Sequence, residues 1–488
     1  VMRFLFLSLV ATLLLENGTW AADRRPTQQE AEQALSKAVD FFTASCEKHG
    51  GYVWRYSKDL RLSEGEAETG PSTVWVQPPG TPAVGMALLR AYRATGDRKY
   101  LQAAKRTGDA LVKGQLQSGG WFYSIHFDPE TRKDWGYRDN TSFRASRKKK
   151  NKTNITTLDD DTTPAAVRFL AELDQELDFK DRAIHESVLL ALEALMKAQY
   201  PNGGWSQKWH RYPEGAKESD YPVINASYPE EWPRKWLNDW RGKYYLNDNV
   251  TGNMVETFLL AGEIYQDNRY VEVAKRAGEF LILAQMPDPQ PAWAQQYDEN
   301  MHPVWDRKFE PPAISGRESE EAMESLLLLY EKTGDERFLK PIPAALRYLR
   351  SSLRPDGKLA RFYELKTNRP LYFVVDGKRY DLTYSDRDLP THYGFVVDAH
   401  LDKIESRYRK LLRDRSALSA RRRGGASRKE AERVRKVIDQ MDERGAWVDP
   451  RTMKGFRKAS PEGVIQSDTF IDNVELLSDY IQGMKERS

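Results

Sequence analysis

The sequence predicts an all-α protein: an α/α toroid of about twelve helices packed as antiparallel hairpins, without a substantial β-domain. Three observations carry that expectation. Apolar residues recur at i, i+3, i+4 and i+7 along most of the chain, the period of an amphipathic helix. A helix–turn–helix unit repeats, and a Gly/Trp element closes each copy. With 488 residues there is material for a large core. Hydrophobic residues at 40%, charged residues at 30% and a mean hydropathy of −0.71 exclude an integral membrane protein and a disordered one.

Taken in order, the chain opens on an export signal. Arg3 is the positive region, Phe4 to Leu15 form the apolar run, and Thr19-Trp20-Ala21 supply small residues at a cleavage site. Residues 1–21 are therefore expected to be a signal peptide, and 22–488 one exported domain, periplasmic or secreted. The apolar run is too short to span a bilayer comfortably.

The first clear hairpin starts at Thr81-Pro82 and ends at Trp121, and the second runs from Thr163-Pro164 to Trp205. A third runs from Met254 to Trp293, and a fourth from Glu320 to Phe362. Fainter copies end at Trp54 and Trp447. Threonine before proline places a cap residue ahead of Pro at the first helical position. Thr95-Gly96-Asp97 and Thr333-Gly334-Asp335 carry Gly where a helix should stop. The spacing between the Trp residues is irregular, which favours a closed ring with long loops on one rim over an open superhelix. In a ring every inner helix points the same way. The loops near 75–82, 157–164, 245–253 and 311–319 should then share one face.

Those loops are chemically loaded. Thr157-Leu158-Asp159-Asp160-Asp161-Thr162-Thr163-Pro164 puts three consecutive carboxylates ahead of a helix, although N-capping needs only one. Tyr245-Leu246-Asn247-Asp248-Asn249 offers a hard-oxygen set of the type calcium prefers, and is also ordinary turn chemistry. Basic groups follow: Arg307 and Lys308, Arg317, Arg361, Arg369 and Arg387. Several Arg facing a carboxylate-bound cation would suit an acidic substrate held by fork-shaped donors. Gln115…Gly119…Trp121 and Gln199…Gly203…Trp205 share the Q-x-x-x-G-x-W spacing of triterpene cyclases, where it ties helix ends to turns.

Other classes are excluded. Lys and Arg total 75 against 72 Asp and Glu, a net charge of +3, which argues against a dedicated nucleic-acid binder. The basic runs Arg147–Lys150 and Arg421–Arg423 read as solvated loops, with polyanion contact the alternative. A single cysteine, Cys46, rules out an internal disulfide framework and a multi-thiolate zinc site.

In this order, TLDDDTT, NGGWSQ, YLNDN, PAWAQQYD, EPPAISGRES, ARFYELKTNRP and the SDRD segment resemble the family 10 polysaccharide lyases, which are pectate lyases. The resemblance covers roughly residues 80–395. It implies an α/α toroid, a polygalacturonate substrate, β-elimination and a calcium cofactor. It also implies roles for residues. Asp159 looks like the first Asp of the family's acidic centre, and Asp160 stands where the family typically has Asn. Asp248 looks like a calcium ligand, with Asp159 and Asp160 completing the metal set. Arg387, in Ser385-Asp386-Arg387-Asp388, looks like the catalytic base of an S-G-R-D-G pattern, with Arg369 and Arg361 as fallbacks. Substrate contacts are expected from Arg307, Arg369, Arg361 and Trp205. Two other readings compete: a non-catalytic glycan-binding toroid or decayed lyase, and a triterpene-cyclase-like ring. The second lacks its spaced acid motif, because position 158 is Leu.

Overall fold

A computed structural model describes residues 25–144, 153–239, 241–414, 427–456 and 463–486. The expected signal peptide and both basic runs lie outside the described residues. Twelve helices of ten or more residues are present among those described. Six form an inner layer: α2 (Thr81–Thr95), α4 (Thr162–Glu176), α6 (Val250–Tyr265), α8 (Gly316–Thr333), α10 (Leu401–Arg413) and α12 (Ser467–Lys485). Six lie outside them: α1 (Gln28–Ser45), α3 (Arg98–Gly114), α5 (Arg182–Ala198), α7 (Asn268–Ala284), α9 (Ile342–Ser351) and α11 (Arg428–Asp439). Successive inner helices pack on one another from α2 through α10, and α12 packs on α2 and α1. The C-terminal helix therefore packs against the N-terminal end. The fold is the expected α/α toroid. No helix among the described residues is long and apolar enough to cross a membrane.

The recurrent Gly/Trp element is the clasp of each hairpin. The indole N–H of Trp121 donates to the Leu111 carbonyl at 2.8 Å, Trp205 to Leu195 at 2.9 Å, Trp293 to Leu281 at 2.7 Å and Trp447 to Val437 at 2.8 Å. Each bond satisfies a carbonyl near the C-terminus of an outer helix that has no helical partner. The glutamine ahead of each strong copy bridges to the next hairpin. Gln115 donates to the carbonyls of Gly119 and Ser187, and Gln199 to those of Gly203 and Val273. Gly203 sits at φ +92°, and a Cβ there would lie 2.0 Å from the Arg276 carbonyl oxygen. Only glycine fits. Trp54 departs from the pattern: its indole reaches forward to the Gln77 carbonyl at 2.7 Å.

Short antiparallel strands tie the rim together. Most pair a segment leading into an inner helix with the segment after a Gly/Trp clasp. β1 (Arg55–Ser57) pairs with β2 (Ser63–Glu64) and β15 (Val464–Gln466), and β3 (Thr73–Trp75) with β4 (Ser124–His126). β5 (Thr156–Thr157) pairs with β6 (Lys208–Trp209), and β7 (Tyr244–Tyr245) with β8 (Gln296–Tyr297). β9 (Ala313–Ser315) pairs with β11 (Phe362–Glu364), and β10 (Leu359–Ala360) with β14 (Val396–Val397). One feature exceeds the all-α expectation. The hairpin β12 (Pro370–Asp376) and β13 (Arg379–Thr383) extends the rim into a four-stranded sheet ordered β13-β12-β11-β9. Aromatic and branched residues such as Tyr372, Phe373, Val374, Val375 and Tyr380 favour strand, and Gly377-Lys378 is the two-residue turn.

Candidate functional site

Two of the loops leading into inner helices adopt the same unusual turn. Residues 159–161 form a 3-10 turn before α4, with Asp160 at φ 46° and Asp161 at φ 61°. Residues 247–249 do so before α6, with Asp248 and Asn249 both at φ 54°. Left-handed backbone costs an L-residue roughly 1–2 kcal/mol, and Asp and Asn tolerate it best among side-chain-bearing residues. Paired left-handed residues at both turns are strain of the kind retained at functional positions.

The two turns bring three carboxylates together. Asp159, Asp160 and Asp248 each offer an oxygen, and these oxygens lie within 4.8 Å of one another. Donors from neighbouring rim segments hold them. Gln207 Nε2 donates to Asp159 Oδ1 at 2.8 Å and to Asp248 Oδ2 at 3.2 Å, and Gln77 Nε2 to Asp160 Oδ2 at 2.6 Å. Lys208 Nζ donates to Asp159 Oδ2 at 3.1 Å, and the Tyr123 hydroxyl donates to the same oxygen. Asp161 turns away and pairs with Arg168 of α4.

The electrostatics follow from that crowding. Burial first, and then Asp159, hold Asp248 well above the usual carboxylate range. Burial, Asp159 and Glu66 raise Asp160. Burial also pushes Asp159 upward, but hydrogen bonding with Asp248 and the Lys208 and Tyr123 donors more than offset it, so Asp159 is lowered.

Arg307 stands beside the cluster, and its charge acts on both Asp248 and Asp160. Its Nε donates at 2.8 Å to Glu310, which is 0% exposed. Glu310 also accepts from Asn247 Nδ2 at 3.2 Å and from the Tyr393 hydroxyl at 3.1 Å. One buried carboxylate thus locks Arg307 to the second turn. Asn247 faces inward as part of that lock.

The structure separates the remaining sequence candidates. Trp205 is 0% exposed and is the clasp described above, so it has no face to offer a substrate. Arg361 is 4% exposed and is held by buried Glu318 behind the rim, so it cannot contact substrate either. Arg369 is exposed and lies over the Tyr384 ring at 3.4 Å from its centroid. Arg387 is exposed, and its neighbour Asp386 is tied at 3.0 Å to Arg354, beyond the end of the outer helix α9. Arg317, by contrast, occupies the first turn of α8, the inner helix packed against the 247–249 turn. It shares a cleft of about 700 Å³ with Asn249, Glu256 and Glu321. The signal for it was present in the sequence: loop 311–319 belongs to the same rim, and Ser315-Gly316-Arg317 keeps the S-G-R order intact.

The donor set fits a hard cation. Three carboxylates converge where burial first, and then their mutual repulsion, lifts two of them, and a divalent ion would offset both. Calcium takes six to eight oxygens in flexible geometry, more than three side chains need supply alone. Asp159, Asp160 and Asp248 are the residues that would hold it.

Comparison with known families adds a separate line. Residues 126–226 match the family described as pectic acid lyase. That segment contains Asp159, Asp160, Gln207 and Lys208, and ends before Asp248. No curated protein matches the chain by sequence. Among solved structures, it is similar to a mutant family 10 polysaccharide lyase from Cellvibrio cellulosa in complex with trigalacturonic acid. That likeness has 16% identity and a TM-score of 0.42, over 68% of this chain and 97% of the other. It is also similar to a D-mannose isomerase, at 12% identity and a TM-score of 0.46 over 93% and 98%. The third is cellobiose 2-epimerase from Spirochaeta thermophila, at 13% identity and a TM-score of 0.45 over 95% and 98%.

Proposed function

We propose that this chain is an exported pectate lyase that cleaves polygalacturonate by calcium-assisted β-elimination. The observation that carries the reading is the meeting of Asp159, Asp160 and Asp248 at two adjacent turns, with Lys208 and Arg307 beside them. The pectic acid lyase match over the segment holding two of those carboxylates supports it.

The reaction removes the sugar C5 proton, which is α to a carboxylate and weakly acidic while that carboxylate is charged. Calcium, when bound, neutralises the carboxylate and stabilises the enolate-like charge that develops. Arg307, whose Nε and one terminal nitrogen are both taken by Glu310, is fixed beside the cluster with its remaining terminal nitrogen left for the substrate's acid groups. Arg317 replaces Arg387 as the base in this reading, because its helix opens beside the 247–249 turn. A guanidinium is a poor base while charged. Glu321, one turn along α8, accepts from Arg317 Nε at 2.8 Å, and burial and Glu318 push its carboxyl up to about 7. This pair orients the guanidinium: burial works against its charge, but the Glu321 and Glu318 carboxylates outweigh that and hold Arg317 above its usual range, so Glu321 positions Arg317. As the C5 proton leaves, its bonding electrons form the C4–C5 double bond. The C4–O bond breaks, and the departing oxygen is protonated.

The conjugated product absorbs in the ultraviolet, so the test is direct. Polygalacturonate with calcium should give rising absorbance, and a chelator should stop it. A flat trace with calcium present would reject the lyase reading and favour a non-catalytic glycan binder. Export rests on residues 1–21 alone; the amino-terminal sequence of exported protein tests it.

A further inference from the structure

Beyond Arg307 the rim continues as a shelf of aromatic rings. The Phe309 ring lies 4.9 Å from Tyr393, 5.0 Å from His392 and 5.7 Å from Tyr380. The Arg307 guanidinium is 5.0 Å from the Phe309 ring, so the shelf begins at the acidic cluster's own cation. It ends on the β12–β13 hairpin, where the Tyr380 hydroxyl and His392 Nε2 meet at 3.1 Å.

One ammonium group, that of Lys308, borders these rings, and a second lysine, Lys378, lies at the adjoining hairpin turn. Lys308 Nζ sits 4.3 Å from the centre of the Tyr380 ring and 3.3 Å from the Lys378 carbonyl. Lys378 is exposed at the hairpin turn. The neighbouring Arg379 is already paired with Asp381 at 2.7 Å, and Arg307 with Glu310. Among the described residues, no ion pair joins Lys308 or Lys378 to a carboxylate. The rings meet tilted or edge-on, so the aromatic cluster offers ring edges and the Tyr380 hydroxyl and His392 imidazole as polar points for a sugar, not one stacking plane. Uncompensated ammonium groups beside the rings select a sugar that carries an acid.

We propose that Lys308 and Lys378, with Tyr380 and His392, form a further subsite for a uronate unit of the substrate chain, outside the carboxylate cluster. The proposal rests on the pectate-lyase reading and adds a second charged anchor point. It makes the β12–β13 hairpin a specificity element that favours runs of unesterified uronate.

The test is the double variant Lys308→Met/Lys378→Met, its folding checked by circular dichroism. On polygalacturonate its KM should rise about tenfold at low salt with kcat within about twofold of wild type, and the salt dependence of KM should weaken. Retardation in a native gel containing polygalacturonate and chelator should fall in the variant and be retained by wild type. Unchanged KM and unchanged retardation overturn the subsite and leave the lyase reading intact. If wild type shows no elimination, the lyase reading fails, and the retardation difference alone decides the subsite.

Discussion

Asp248→Asn tests the acidic cluster through stability, without reference to turnover. The oxygens of Asp159, Asp160 and Asp248 lie within 4.8 Å of one another. Two full charges at that separation repel by roughly 3.5 kcal/mol at an effective dielectric of about 20. The folded protein escapes part of this by keeping a proton on Asp248, whose carboxyl is raised first by burial and then by Asp159. A carboxyl raised above its unfolded value destabilises the fold as pH climbs: there is no penalty below about pH 4, and it accumulates through neutrality. Asparagine keeps the shape and a donor toward Asp159 but carries no charge to bury. In chelator at pH 8 the variant should therefore be more stable than wild type, by about 1–3 kcal/mol after discounting for partial exposure. The difference should vanish toward pH 4. With millimolar calcium the order should invert, because ligand binding stabilises only the protein that binds it. Urea unfolding followed by circular dichroism measures all of these states. A variant less stable than wild type in chelator at pH 8 would show that Asp248 is satisfied as a charge, and would refute the cation reading.

Other expectations are sharp enough to check. Arg317→Lys should reduce kcat at least a hundredfold with a small change in KM, because lysine cannot copy the fork; near-normal kcat in polygalacturonate kinetics would return the search to Arg387 and Arg369. Trp205→Phe should lose about 1–3 kcal/mol in denaturant unfolding by orphaning the Leu195 carbonyl, with KM unchanged; a raised KM with full stability would restore it as a substrate platform. Glu321 in the folded protein holds its proton up to about pH 7, above its usual 4.5, so its contribution to stability is complete below about pH 4.5 and lost as pH rises through 7. Glu321→Gln should flatten that decline in a pH series of thermal melts, and an unchanged slope would show that this carboxyl does not carry it.

The ring was legible because its determinants are local and repeated. A 3.6-residue apolar period needs one stripe per helix, and each Gln, Gly and Trp acts within its own hairpin or the next one. Gln115 and Gln199 make equivalent bonds in successive copies, so even the clasp's structural role follows from spacing. The β12–β13 hairpin was harder to see. VVDGKRYDLT alternates only weakly and lies between segments whose resemblance pointed elsewhere. Its register is set by β11 and by rings from the 305–309 loop, contacts that no local pattern encodes.

The site divides along the same physical line. Asp159, Asp160 and Asp248 could be read from the chain because ring geometry sends every inner-helix lead-in to one rim. Capping a helix uses one carboxylate, so a surplus on that rim points to a shared site. The arginines could not be sorted that way, since a guanidinium is used equally for surface pairs, buried struts and substrate forks. Arg361 became a strut because Glu318 is buried beneath it, and the exposed Arg387 follows Asp386, which pairs with Arg354. Both outcomes depend on partners 43 and, for Asp386, 32 positions away in the chain. Applying the rim rule evenly would have favoured Arg317, the one arginine in the first turn of the next inner helix. The rule that found the carboxylates therefore carries more weight for the arginines than similarity of the flanking letters.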